Sequence, residues 1–483
     1  MGRPSQTGQE APRPGRRVSR PGPRAAPRRP PARDTEFSPL DAIFLYIDRV
    51  PYRLYWGGIF VLDRPIEPEA LRGAVQERLG FFRRCRERPV RPPLDLGWPH
   101  WAEARGFDIR RHVHHATAPP PGGPEQLHAL LDRLYATPLD PAHPLWELRL
   151  IDGLPDGRAA LLWKIHHCMV DGAGGAQVLL RLADPVAGMT PRGGVREPRG
   201  RSFEPFGQTL GALLDPTRII GSVEAAAQLL ARAWEDAPTR LPLHGPLSSA
   251  RRLRWAAFAL DDFLALRAAA GCKVNDVLLA VITGALRRCL ERRGVALTGL
   301  RVRAAVPVNV RDEGERLAPG NRIRMVAPAL PVGLADPVAR LRAIAAETRP
   351  RLEKSGEGRA LETLIGFAGW LPAPITRVAS WLSAGTILFS TLCTNVTGPR
   401  EVQHLLGRRI VEIYPIVPLF SEVGLEFAAL SYAGRLTVTV VADPALVPDV
   451  EQVPDDLREA EAELRASLGV AAGASTVGPS AHV

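Results

Sequence analysis

His166-His167-Cys168-Met169-Val170-Asp171-Gly172 places two adjacent histidines four residues ahead of an aspartate–glycine pair. The apolar run Ala159-Ala160-Leu161-Leu162-Trp163-Lys164-Ile165 precedes it, and the helix-like Ala176-Gln177-Val178-Leu179-Leu180-Arg181-Leu182 follows. The pattern reads strand, polar turn, helix, with the histidines where a buried strand meets a cleft. Histidine suits general-base work because its unperturbed pKa lies near the operating pH. Such a base needs a partner to fix its tautomer, and a nearby carboxylate is the usual one. Gly172 lets the backbone turn where a side chain obstructs.

Immediately upstream, residues 147–152 alternate polar and apolar as a half-buried strand does, residues 153–157 supply a turn, and the partner strand runs into His166. The hairpin mounts the histidine turn on regular elements, which positional catalysis requires. Further back, Ser38 is placed to cap a helix with Pro39 at its first position. A strand over residues 58–62 and a helix over 68–79 follow. His112, His114 and His115 raise a metal site, but no carboxylate or cysteine completes a set beside them.

Downstream the composition changes. Residues 188–200 are loop-like and residues 223–234 form an alanine-rich helical stretch, so 186–246 reads as a crossover between domains. A second domain opens with residues 253–262 and the helix signal Val274-Asn275-Asp276-Val277-Leu278-Leu279-Ala280. Asn275 and Asp276 suit a helix N-terminus, which also faces negative charge favourably.

A chain of 483 residues exceeds one ordinary core, so two domains are expected. With 45% hydrophobic and 23% charged residues, the composition is globular. Residues 1–33 hold nine arginines against one acid, a net +8 that leaves only +3 of the total +11 on the body. That Arg/Pro-rich tail, residues 1–36, lacks the means to build a core, and it reads as a solvated extension or a patch for anionic headgroups. No apolar stretch follows its arginines, so a secretory signal is not expected. Nucleic-acid binding is not expected either, for want of a basic face on a recognisable module. Five scattered cysteines without a CxxC spacing fit a reducing, cytoplasmic compartment and argue against zinc or disulfides. Cys168 lies inside the motif, and packing is favoured over a nucleophilic thiol. Residues 364–371 and 378–399 are apolar in part, yet fall short of the ~20 residues a membrane span needs. They read as core helices or as a surface resting on a membrane or lipid droplet, with core favoured.

The motif resembles HHxxxDG of the bacterial wax ester synthase/diacylglycerol acyltransferase family, and it contains HxxxD of the wider chloramphenicol acetyltransferase-like superfamily. Other stretches agree, in the family's order. Ser38-Pro39-Leu40-Asp41 with Phe44-Leu45 is similar to its opening. Residues 107–113 resemble FDxxxHV, which favours structural histidines there. Pro144-Leu145-Trp146-Glu147 is similar to PLWE, and Asn275-Asp276 to its ND pair. Residues 306–311 resemble VPVSVR, Gly320-Asn321 its GN, and Asn395-Val396-Thr397-Gly398-Pro399 its NVPGP. Residues 413–418 and the hairpin signal at 430–436 complete the set. Departures are Tyr55-Trp56 before Gly57-Gly58, His244 before Gly245-Pro246, and Thr397 in place of a proline. Tyr55, Trp56 and His244 put the acceptor preference in question.

The resemblance implies an α/β fold of two chloramphenicol acetyltransferase-like domains with mixed sheets and an active-site tunnel between them. The expected divisions are 37–185, the linker 186–246, 247–468, and a C-terminal tail 469–483. It implies fatty acyl transfer from acyl-CoA to diacylglycerol or a long-chain alcohol, with His167 as base and His166 positioning it. Asp171 and Gly172 would brace the turn, and Asn275 would donate to the oxyanion. Asp276, Asn395 and Gly398 fall on the substrate-binding side. Acyl-CoA is a co-substrate, no resident cofactor or metal is implied, and attachment would be peripheral at the inner membrane or lipid droplets. The rival readings are a condensation-type enzyme with another acceptor or a carrier-protein donor, and a non-catalytic lipid-binding protein.

Overall fold

A computed structural model describes residues 1–2, 35–49, 51–79, 82–93, 97–170, 182–185, 237–309, 323–353, 373–383 and 389–471. Met1–Arg33 and Asp34–Val483 separate as two units, and every element below belongs to the second. The arginine-rich tail, Asp171, Gly172, most of the expected linker, the Gly320-Asn321 pair and residues 364–371 lie outside the described residues.

Two six-stranded mixed sheets organise the second unit. The first uses β2 (Tyr55–Leu62), β5 (Val113–Thr117), β6 (Trp146–Asp152), β7 (Ala159–His166), β12 (His404–Leu405) and β13 (Arg408–Ile416) in the order β12-β13-β2-β7-β6-β5. The second uses β8 (Arg252–Ala259), β9 (Ala304–Asn309), β10 (Ile323–Val326), β11 (Thr391–Thr397), β14 (Leu425–Tyr432) and β15 (Arg435–Ala442) in the order β10-β9-β11-β14-β15-β8. A small antiparallel sheet joins β1 (Thr35–Glu36), β3 (Glu87–Val90) and β4 (His100–Glu103). Late chain therefore enters the early sheet, because β13 pairs antiparallel with β2.

All eight residues of β7 are buried, as expected of a central strand covered on both faces. Its neighbour β2 approaches so closely that a Cβ at Gly57 would lie 1.9 Å from the Trp163 carbonyl oxygen. Only glycine fits there, which explains half of the Gly57-Gly58 pair.

Around the sheets lie α1 (Pro39–Ile47), α2 (Pro68–Leu79), α3 (Pro124–Ala136), α4 (Leu260–Ala270), α5 (Val274–Arg292), α6 (Pro337–Glu353), α7 (Ala373–Ser383) and α8 (Val453–Ser467). Ser38 caps α1 by accepting the Asp41 N–H at 3.2 Å, with Pro39 at the first position. The helix expected at 68–79 forms as α2 over those residues. Helix α5 is the core of the second half; thirteen of its nineteen residues are buried, and its main helical neighbours are α8, α6 and α4.

The two sheets meet through α3 and a set of ring contacts. Trp255 on β8 stacks on Tyr414 on β13 at 4.5 Å and 26°. Asp132 on α3 accepts the Leu253 N–H at 2.7 Å and pairs with Arg252 and Arg254 at 3.1 Å. Among the described residues no single helix is long and apolar enough to cross a membrane.

Candidate active site

The end of β7 carries the histidines. Register places His166 opposite Tyr55 on β2, and the next residue, His167, donates its backbone N–H to the Leu54 carbonyl at 2.8 Å. The turn is thus hydrogen-bonded to the start of β2 on one side. On the other, the Trp56 indole donates to the Val170 carbonyl at 2.9 Å. Trp56, a departure noted in the sequence, braces the residue just ahead of Asp171.

The histidines differ sharply in environment. His166 is fully buried. Its Nδ1 accepts the Cys168 N–H at 3.0 Å, which forces the ring proton onto Nε2. That Nε2 lies 3.0 Å from Oδ2 of Asp48, the residue ending α1. Both ring nitrogens of His166 therefore face groups inside the protein, Nδ1 through a hydrogen bond and Nε2 through a charge contact with Asp48. His167 is half-buried, with its ring on Phe44 of α1 at 4.3 Å and 38° and near Trp56 at 6.4 Å. Helix α1 thus holds both rings, Phe44 against one and Asp48 against the other. Apolar walls around His167 strengthen any charge interaction formed there.

Cys168 is fully buried, and burial pushes its thiol well above the usual range. A thiolate nucleophile has no basis here.

Two segments match one family in the order that the motifs require. Residues 37–278 match the wax ester synthase/diacylglycerol acyltransferase catalytic domain, and residues 319–465 match the C-terminal domain of the same family. The chain belongs to that family. A probable diacylglycerol O-acyltransferase of Mycobacterium tuberculosis is 32% identical over 449 residues, covering 88% of this chain and 94% of that protein. Among solved structures, the wax ester synthase/diacylglycerol acyltransferase of Marinobacter aquaeolei superposes with a TM-score of 0.66 at 21% identity, covering 90% of this chain and all of that one. The starter condensation domain of rhizomide synthetase, solved with C8-CoA, superposes with a TM-score of 0.57 at 16% identity, covering 89% and 95%. The fold is accordingly the mixed α/β architecture of chloramphenicol acetyltransferase-like enzymes, and the protein is an O-acyltransferase of the wax ester synthase/diacylglycerol acyltransferase family.

The family's PLWE segment supports the site from behind. Glu147 lies 2.6 Å from Nζ of Lys164, whose side chain is fully buried on β7 two residues before His166. Lys164 also donates to the carbonyls of Leu134 at 3.0 Å and Thr137 at 2.6 Å. Burial holds this ammonium below its ordinary pKa, opposed by the Glu147 carboxylate. Three carbonyl and carboxylate acceptors on one ammonium lock α3 onto the strand that presents the histidines.

The other candidates sit on other elements. Asp276 is buried, accepting the Lys273 N–H at 2.9 Å and the Thr348 hydroxyl of α6 at 2.6 Å. Its carboxylate caps α5 and ties it to α6. Asn275 is half-buried in the same first turn. Asn395 is half-buried on β11, beside Ala429 of β14. Gly398 donates to the Ser431 carbonyl at 2.8 Å, and a Cβ there would sit 2.6 Å from that oxygen, so close strand contact accounts for the glycine. His112 is sandwiched between Phe107 and Trp146 at 5.0 and 4.6 Å, and His115 pairs with Asp152 at 2.6 Å. His244 staples its loop by accepting the Leu241 N–H at 3.1 Å and donating to the Ser390 carbonyl at 3.1 Å. Tyr55 is buried, and its hydroxyl accepts the Leu139 N–H at 3.1 Å. Both ring nitrogens of His244 are thereby taken, while the Tyr55 oxygen already holds one backbone N–H.

Asp48 and Phe44 were not singled out by chemistry in the sequence. Phe44 belongs to the family opening, nearly two turns past the Ser38 cap, whereas Asp48, about three turns past it, lies beyond the residues quoted for that opening.

Proposed function

We propose that the protein moves a fatty acyl group from acyl-CoA to diacylglycerol or a long-chain alcohol, with His167 as the general base. A neutral ring nitrogen of His167 takes the proton of the acceptor hydroxyl as its oxygen attacks the thioester carbonyl. The tetrahedral intermediate collapses with loss of the CoA thiolate, which recovers the proton from the imidazolium. No acyl-enzyme is required, since holding both substrates at one base makes the encounter local. Asn275 is the proposed donor to the oxyanion, at a helix N-terminus that favours negative charge. Asp171 and Gly172 shape the turn, with Trp56 supporting it through Val170. Asn395 and Gly398 are assigned to the substrate side of β11, whereas Asp276 serves by fixing α5.

The observation that carries this reading is the tautomer lock on His166, whose two nitrogens already face Cys168 and Asp48. That leaves His167 as the member of the pair for proton transfer.

A peripheral lipid surface is the proposed workplace. Helix α7 packs beside α1 and is inverted for a water-facing helix. Ile375 and Val378 are 44% and 51% exposed, while Thr376 and Ser380 are 1% and 5% exposed. This outer face, with Ile375 and Val378 on either side of the exposed Arg377, lies next to the helix holding His167. It suits a lipid bilayer or droplet that delivers the acceptor, apolar side chains inward and the cation at the headgroups.

The test is CoA release from palmitoyl-CoA with hexadecanol or dipalmitoylglycerol, beside a His167→Ala variant. Acceptor-dependent release that disappears in the variant supports the reading. No release above the variant with either lipid would move the assignment to a carrier-protein donor, another acceptor or a binding role.

A further inference from the structure

Glu426 is a carboxylic side chain with no exposure at all, on β14 in the second sheet. Its Oε1 accepts the Phe420 N–H at 2.9 Å. Its Oε2 is buried and has no hydrogen-bond partner among the described residues. The nearby cation, Arg251, is committed elsewhere: its guanidinium donates to the carbonyls of Ser248, Ala250 and Pro51 at 2.7 Å each. A carboxylate in this position would be a buried charge with one backbone donor, which costs far more than the neutral acid. Burial accordingly pushes the Glu426 carboxyl well above the usual range. With Oε1 accepting, the proton sits on Oε2, an O–H donor without an acceptor.

Its location matters. Directly opposed strand residues share a face, so Glu426, Ala428, Thr439 and Trp255 point the same way, since Ala428 faces Thr439 and Thr439 faces Trp255. Trp255 stacks on Tyr414 of the first sheet, so this face looks across the seam. Two further buried hydroxyls here lack partners among the described residues, Thr439 Oγ1 and Ser421 Oγ. Ser421 lies in the segment that crosses from β13 to β14. That segment begins at Val417, whose carbonyl accepts from Tyr135, and Tyr135 also donates to the Tyr55 carbonyl. Leu54, one residue earlier, holds the His167 N–H. The unpartnered polar groups therefore lie on the face that meets the first sheet, where the other polar side chains, Thr437 and Arg435, are already bonded to Ile413 and Glu412.

Buried donors are almost always satisfied, so three without partners at one seam leave room for an ordered water or for a ligand's acceptor. We propose that Glu426 selects the acyl acceptor, its Oε2 hydroxyl donating a hydrogen bond to an ester carbonyl of diacylglycerol. A diacylglycerol carries two ester carbonyls beside its free hydroxyl, and a fatty alcohol carries none. The contact thus favours the glycerolipid while leaving the chemistry at His167 unchanged. The proposal rests on the acyltransferase reading for the identity of the acceptor.

The test compares Glu426→Gln and Glu426→Leu with the unaltered protein, after circular dichroism confirms folding. Binding of dioctanoylglycerol and of dodecanol is titrated by tryptophan fluorescence without acyl-CoA, so no turnover is needed. Glu426→Leu is expected to lower the ratio of glycerolipid to alcohol affinity about tenfold, the effect of one hydrogen bond near 1.4 kcal/mol. Glu426→Gln, whose amide still donates, keeps that ratio within about twofold. If leucine prevents folding, the unbranched Glu426→Met takes its place. An unchanged ratio in a folded Leu or Met variant, or equal losses for both ligands, overturns the proposal. Selective binding in a protein that turns over neither acceptor would overturn the acyl-transfer reading and leave this contact supported.

Discussion

The Asp48 carboxylate stands 3.0 Å from Nε2 of His166, on the opposite side of the ring from the Cys168 N–H that Nδ1 accepts. Two residues 118 positions apart thereby fix one tautomer, and with it the geometry of the turn that presents His167. The arrangement divides labour between adjacent histidines. One is clamped as scaffold, and the other is the residue we propose carries the proton.

Removing the clamp is expected to cost rate more than substrate affinity. Asp48→Ala should lower kcat on the order of 100-fold, the scale of a small misplacement of a reacting group. Asp48→Asn retains an acceptor for the Nε2–H and should recover most of that loss. Steady-state kinetics on the two variants check this, and an alanine variant with full kcat would end the positioning role.

His167→Ala should reduce turnover by about 10²- to 10⁴-fold, the usual contribution of a positioned acid–base group. Its melting temperature should stay within a few degrees, because the ring packs on Phe44 at the edge of the core. His166→Ala is expected to lose both activity and stability, since it empties a fully buried site and orphans the Cys168 N–H. Thermal melts beside the rate assay separate the two behaviours.

Much of this was legible in the chain. The Ser38 cap, the helix at 68–79 and the hairpin ending at His166 follow from local patterning, which is set within a few residues, whereas the hairpin at 430–436 came from the family resemblance. The two-sheet architecture followed from resemblance of motifs rather than from periodicity. What escaped has a common cause. Asp48 reads as an ordinary helix-ending acid until α1 is packed beside β7. β13 reads as a strand, but nothing local says that it pairs with β2 rather than with its sequence neighbours. Glu426 looks like the polar half of an alternating strand, yet both faces of that strand are covered. In the Asn275-Asp276 pair the cap reading and the site reading coexist in sequence; contacts to Lys273 and Thr348 assign the Asp276 carboxylate to the cap.

Gly57 offers a steric test of the strand that opposes His166. A methyl group there meets the Trp163 carbonyl at 1.9 Å, and neither central strand has room to yield. Gly57→Ala should cost more than about 4 kcal/mol, in the exceptional range for one substitution. The readout is soluble yield and cooperative unfolding; a stable, cooperative variant would contradict the close approach of β2 and β7.

Lys164 and Glu147 form a buried pair, with side chains 0% and 8% exposed. Deleting one partner leaves the other without full compensation, so Glu147→Leu should destabilise by about 3–5 kcal/mol. The double variant Glu147→Leu with Lys164→Met should recover part of this, because the fully buried ammonium goes with its partner while the part-buried Arg149 still loses its contact with Glu147 at 2.9 Å. Urea denaturation of the single and double variants measures the coupling, and simple addition of the two losses would refute it.

Acid should weaken the fold through its buried histidines. Burial holds His244 and His112 below the ordinary value of 6.5, and Nδ1 of His244 must stay unprotonated to accept the Leu241 N–H. Unfolded, both rings titrate near 6.5, so below that pH the unfolded chain binds more protons than the native one. Their stabilisation is thus present above pH 6.5 and is lost as pH falls, by up to about 1.4 kcal/mol per unit for each ring that stays neutral in the fold. The urea midpoint should therefore drop steadily from pH 7 to pH 5.5. His244→Gln should start lower at pH 7 yet fall less steeply, since its amide does not titrate. An equal slope in that variant would remove His244 from the acid response.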